Sequence, residues 1–159
     1  MPTTDRSERV TTVTPVNLRK LGPPDAAALL RLFGELDPAF FRPHPFTPEE
    51  AARVAGCTGR NLHAVAIRDG KFIGYGMLRG WDEGFDTPSL GICLRADAQG
   101  EGVGRAFMHW LHGFAAGRGA THVRLRVHAD NVRARRLYEA MGYREAGEER
   151  GELVMIATL

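Results

Sequence analysis

Gln99-Gly100-Glu101-Gly102-Val103-Gly104-Arg105 is the stretch on which the reading of this chain turns. It lies between an apolar, strand-like run, Ser89 to Leu94, and an amphipathic, helix-like run from Arg105 onward. Alternating glycines let backbone N–H groups converge without Cβ atoms in the way, and the helix behind them adds unpaired donors and the positive end of its dipole. Such a turn predicts an anionic ligand. Two nucleotide readings fail on particular residues. The dinucleotide fingerprint G-x-G-x-x-G, begun at Gly100, needs glycine where Arg105 stands; begun at Gly102, it needs one at Phe107. The nucleoside-triphosphate loop needs a Lys-Ser or Lys-Thr pair at the helix start, and the only lysines are Lys20 and Lys71. What remains is a phosphate cradle of another kind, or turn glycines with no ligand.

Working outward, the 159 residues fit one domain, large enough to hide roughly 70% of its unfolded surface. With 43% hydrophobic and 25% charged residues and a formal net charge of +2, nothing argues for nucleic acid or membrane binding. All but two of the 21 basic residues are arginine, a bias that fits anion recognition but more often reflects an Arg- and Ala-rich genome. Cys57 and Cys93 show no C-x-x-C spacing, so neither a zinc site nor a disulfide framework is indicated, and a reducing cytoplasm is the expected location. There is no N-terminal apolar segment, and no apolar run approaches the ~18 residues of a membrane helix. Residues 1–15, polar and threonine-rich, read as a loose tail before a single domain over 16–159.

The remaining elements follow from periodicity and punctuation. A short strand, Val16 to Leu21, precedes a helix with Leu29, Leu32 and Phe33 on one face. Thr47-Pro48-Glu49-Glu50 opens a second helix, with Thr47 as cap, Pro48 in the first turn and Glu50 completing a capping box. The intervening Asp37 to Phe46 loop has too many prolines for regular structure and too many aromatics to be simply solvated. Leu62 to Ile67 and Phe72 to Arg79 flank the hairpin signal Asp69-Gly70, and the acidic loop Trp81 to Pro88 leads to the strand before the glycine turn. The next helix puts Phe107, Leu111 and Phe114 on a core stripe and Arg105, His109 and His112 on a solvated one. A strand, Val123 to Val127, precedes a helix capped by Asn131 and closed at Gly142, and strands follow over Tyr143 to Glu149 and Leu153 to Thr158.

This order resembles the GNAT superfamily of N-acetyltransferases. Gln99 to Gly104 matches that family's (Gln/Arg)-x-x-G-x-(Gly/Ala) acetyl-CoA loop, and Asn131 to Tyr143 matches its N-x-x-A-x-x-x-Tyr-(Glu)-x-x-Gly-(aromatic) helix, at the expected separation and over a resemblance running from about residue 16 to the C-terminus. The resemblance implies an α/β (α+β) fold whose mixed, mostly antiparallel sheet splays between its fourth and fifth strands, with helices on both faces. It implies acetyl-CoA as co-substrate, its pyrophosphate held by backbone donors of Gln99, Gly100, Glu101, Gly102, Val103, Gly104 and Arg105. The pantetheine arm would lie as a pseudo-strand beside Ile92, Cys93 and Leu94. Arg105 either adds charge to a phosphate or is merely solvated. Asn131 would contact the CoA arm, cap its helix, or both. Tyr138, two turns on and on the same face, would protonate the departing thiolate. No metal is implied. Cys93 as a covalent acetyl carrier lacks a base or cation to lower its pKa, so direct transfer is the expected route.

The resemblance departs at the base. Some family members use a strand glutamate, and the matching position here is Arg126, which cannot accept a proton at neutral pH. Arg124, Arg126 and His128 share one strand face, looking either into the acceptor cleft or outward. Candidate bases are His128, His44, Asp82, Glu83, Asp86 or a bound water. By resemblance, the loop carrying Phe41 and His44, and Trp81, flank the acetyl end; that loop is either an acceptor wall or a cover over the core. The implied activity is acetyl transfer to a primary amine of a small molecule or peptide, with no nucleic acid or membrane partner and a homodimer left open. The alternatives are a non-catalytic acyl-CoA-binding module on the same fold and an unrelated phosphate-binding domain.

Overall fold

The computed structural model describes residues 14–37 and 45–159. The expected tail therefore lies almost wholly outside the described residues, as do Phe41 and His44. A strand β1 (Asn17–Lys20) is followed by helices α1 (Ala26–Glu35) and α2 (Pro48–Ala55), strands β2 (Leu62–Arg68), β3 (Lys71–Arg79) and β4 (Ser89–Leu94), and helix α3 (Val103–Gly117). Strand β5 (His122–Val127), helix α4 (Val132–Ala140) and strands β6 (Arg144–Glu149) and β7 (Glu152–Thr158) complete the chain. One seven-stranded sheet takes the order β1-β2-β3-β4-β5-β7-β6, antiparallel at every pairing except β4–β5. No helix among the described residues is long and apolar enough to cross a membrane.

Local chemistry explains the boundaries. Asp25 accepts the Gly22 N–H at 2.8 Å and a bidentate pair from Arg19 at 2.7 and 2.8 Å, which fixes the turn into α1. Thr47 Oγ1 accepts the Glu50 N–H at 3.2 Å with Pro48 in the first turn, while the Glu50 carboxylate pairs with Arg53 one turn along. Asp69 and Gly70 both take left-handed φ, 52° and 72°, as a two-residue I′ hairpin requires. Asn131 Oδ1 caps α4 through the Ala134 N–H at 3.3 Å, and Gly142, at φ 93°, ends it.

Strand alternation sorts the core into two layers. Val65, Tyr75 and Met77 face α1 and α2, packing with Leu29, Leu32, Phe33 and Val54. Ala64, Ala66 and Leu78 face the opposite way, onto a cluster that includes Phe107, Met108 and Leu111 of α3, Leu125 and Met155. Gly76 brings α3 close: a Cβ there would stand 2.7 Å from Phe107 Cζ. Two sequence expectations change. His112, placed on the solvated stripe of α3, is half-buried, because its Nε2 meets the hydroxyl of buried Tyr143 at 2.6 Å. Trp81, placed beside the acceptor, is buried in the α3 core cluster with the Arg118 guanidinium 5.0 Å from its ring centroid.

The sheet's parallel junction is minimal. Ser89 pairs with Arg124, whose N–H donates to Pro88 O at 3.0 Å, and beyond that point β4 and β5 form no further pair with each other. The expected splay between the fourth and fifth strands is therefore present, and it creates the cleft.

Candidate active site

The cleft begins with backbone geometry. Arg95 N–H bonds to Ile73 O at 2.8 Å, so by two-residue alternation Ile92 and Leu94 turn their main-chain groups away from β3 and toward the gap. Gln99 Nε2 donates to Leu94 O at 3.3 Å and so ties the glycine turn back to β4. Gly100 and Gly102 both adopt φ near +80°, a conformation that costs other residues roughly 1–2 kcal/mol. Gly102 is the N-cap of α3 and no side chain caps that end. The first intrahelical bond runs from Ala106 N–H to Gly102 O at 3.1 Å, leaving the N–H groups of Val103, Gly104 and Arg105 as available donors.

A cavity of about 660 Å³ fills the space between β4, this turn, the end of β5 and α4. It brings together Ile92, Cys93, Leu94, Gln99, Gly100, Gly102, Gly104, Arg105, Arg126, Asn131 and Tyr138. Glu101 and Val103 contribute no lining side chain: Glu101 pairs with Arg68, and Val103 is buried in the core. Arg133, Leu137 and Asp37 also line the cavity and were not anticipated. Arg133 follows Asn131 by two positions, a spacing that does not put two side chains on one helix face, so the sequence pattern did not mark it. It comes close to the turn: a Cβ at Gly100 would lie 3.0 Å from its Nη2. The residues fit an extended polyanion ending in a pantetheine arm, with free helix N–H groups and two guanidiniums at one end and unpaired strand main chain along the side.

Tyr138 closes the far wall. It is buried, and desolvation, with Cys93 adding to it, holds its phenol well above the ordinary range, so the O–H stays in place to be donated. Tyr143 packs against it with ring centroids 5.8 Å apart, and His112 in turn holds the Tyr143 hydroxyl. Burial, and then the charge of Asp37, push the Cys93 thiol up to about 12. A thiol so held is protonated at neutral pH and is a poor nucleophile.

The cationic strand face divides. Arg126 lines the cavity, whereas Arg124 is taken by Glu149 at 2.8 Å. His128 is exposed and is not among the lining residues; its Nδ1 accepts the Asp130 N–H at 3.2 Å. Asp82 accepts the Arg60 and Asn61 N–H groups at 2.7 and 3.1 Å, bonds that lower its pKa, and Glu83 faces the Asn61 amide at 3.4 Å. Both carboxylates thus brace the loop, and neither they nor Asp86 line the cavity. Among the described residues, Asp37 is the one carboxylate that does.

A mixed sheet opened at its one parallel pair, with an uncapped glycine turn at the opening and an Asn/Tyr helix opposite, defines the GNAT fold. The chain belongs to the GNAT acetyltransferase family, whose model matches residues 29–143. Among solved structures it is similar to the GNAT domain of S. lividans PAT, at 18% identity and TM-score 0.80, over 91% of this chain and 90% of that one. It is also similar to a GNAT-family acetyltransferase from Streptococcus pneumoniae, at 20% identity and TM-score 0.79, over 91% and 99%. A third likeness is to the PaiA N-acetyltransferase of Thermoplasma acidophilum in complex with coenzyme A, at 17% identity and TM-score 0.76, over 91% and 99%. A sequence search of curated proteins finds no significant match.

Proposed function

We propose that this chain acetylates a primary amine at the expense of acetyl-CoA by direct attack, without an acetyl-enzyme intermediate. The observation that carries the reading is that a buried, protonated Tyr138 and an uncapped glycine turn line one cavity. Acetyl-CoA supplies the activated acyl group. The N–H groups from Val103 to Arg105, with Arg105 and Arg133, hold its phosphates, and the Ile92 and Leu94 main chain orients the arm. Tyr138 donates its O–H proton to the departing sulfur, and Asn131 both caps α4 and meets the arm. The protonated state of Cys93 supports direct transfer. Both cysteines are free thiols, which supports a reducing, cytoplasmic setting.

Acetyl-CoA is expected to raise the melting temperature in a concentration-dependent way. Tyr138→Phe should cut turnover about 100-fold, the usual worth of a positioned acid, with little change in CoA affinity. Equal loss of turnover and binding would remove Tyr138 from the acid role. Arg126, standing where some relatives carry a glutamate base, favours a second reading, a module that binds acyl-CoA without acetylating anything. That reading requires CoA binding with no free thiol released across a broad amine panel.

A further inference from the structure

The glycine turn carries a side chain of the same charge as a phosphate. Glu101 stands between Gly100 and Gly102, both at φ +80°, and immediately precedes the N-cap of α3, an end that no side chain caps. The positive end of a helix attracts any anion close to it, a neighbouring carboxylate as readily as a ligand. The structure directs this carboxylate elsewhere: Glu101 Oε2 accepts from Nη1 of Arg68, 33 positions back in the chain. Arg68 is the last residue of β2 and pairs across the Asp69-Gly70 turn with Lys71, so the hairpin fixes where its side chain starts. Neither Arg68 nor Glu101 is among the residues that line the cavity, whereas Gly100, Gly102, Arg105 and Arg133 are.

We propose that Arg68 is a positioning residue for the phosphate end of the donor: by pairing with Glu101 it keeps that carboxylate off the α3 N-terminus and leaves the N–H groups there to the ligand. This rests on the reading of the glycine turn as the CoA phosphate site. Arg68 acts through Glu101 and touches no ligand itself. Without it, the Glu101 carboxylate turns to the helix end, where it competes for the same N–H donors and repels the incoming phosphates. A half-exposed ion pair of this kind adds little to stability, so its worth lies in where it holds the carboxylate. The turn is then pinned at two points, at its start by Gln99 on Leu94 O and at its middle by Arg68 on Glu101.

The test is calorimetric titration of CoA, at low ionic strength, into the unaltered chain, Arg68→Gln, Glu101→Gln and the double variant. Arg68→Gln should weaken CoA about tenfold, while Glu101→Gln should stay within about threefold of the unaltered chain. In the double variant the loss caused by Arg68→Gln should disappear, because the carboxylate that Arg68 restrains is gone. Arg68→Met, which keeps an apolar stem, serves beside Arg68→Gln should the latter fold poorly, and the same pattern is expected of it. A direct contact of Arg68 with phosphate, or a brace needed only for folding, gives the same loss with or without Glu101. That result would overturn the proposal, as would full CoA affinity in Arg68→Gln, and both leave the CoA reading of the turn standing. Failure of the unaltered chain to bind CoA removes both.

Discussion

Cys93 and Tyr138 are neighbours in one cavity, yet burial gives their protons opposite consequences for chemistry. Raising a thiol disarms a nucleophile; raising a phenol preserves an acid. Cys93→Ala should therefore keep kcat within about threefold, since it removes only a small packed group, and a loss of 100-fold or more would revive a covalent route. His112 makes a different prediction. Burial, then neighbouring His109, lowers its pKa, so the fold favours the neutral ring bonded to Tyr143. The unfolded chain takes up a proton first as pH falls through about 6.5, so this contribution is complete above that pH and is lost below it. His112→Gln should flatten the fall in urea midpoint between about pH 7 and about pH 5; an unchanged slope would separate His112 from acid sensitivity.

At the level of elements, the glycine turn makes the sharpest claim. Among the described residues, leaving aside its two chain neighbours, nothing lies within 4 Å of a Cβ built on Gly102, so the cost of Gly102→Ala is that of φ +80°. The variant should lose about 1 kcal/mol in denaturant unfolding and a larger share of CoA affinity, because relaxing the strain re-aims the N–H groups behind it. If stability falls while CoA affinity holds, the turn is a hinge and not a cradle. Elements specified by short-range chemistry were legible in the sequence: the Thr47 and Asn131 caps, the Asp69-Gly70 hairpin and the Gly142 stop each depend on residues within one turn. Residues whose surroundings come from distant strands were not. His112 was assigned by helical periodicity alone, which does not register Tyr143, 31 positions away, and Trp81 was read as a loop aromatic although Arg118 and the α3 core cover it. Asp37 reached the site only because α1 ends where it does.

Across the whole molecule, the cavity walls from β4, the glycine turn and α4 were readable because motif spacing and element order carry them, while any wall built by loops depends on how those loops fold back. That asymmetry has a physical root: main-chain donors tolerate varied side chains, and an acceptor pocket is written only in side chains. The single Ser89–Arg124 rung leaves this sheet weakest at its centre, where most sheets are strongest. In the free protein the amides of Ile92 and Leu94 should exchange with deuterium as quickly as those of an outer edge, while Cys93, bonded to β3, stays protected. Acetyl-CoA should slow the first pair and leave the second unchanged; equal protection of all three before ligand is added would contradict this. Acetyl-CoA would thus serve as the missing rung between β4 and β5, whose halves otherwise meet through one strand pair and the shared core cluster under α3.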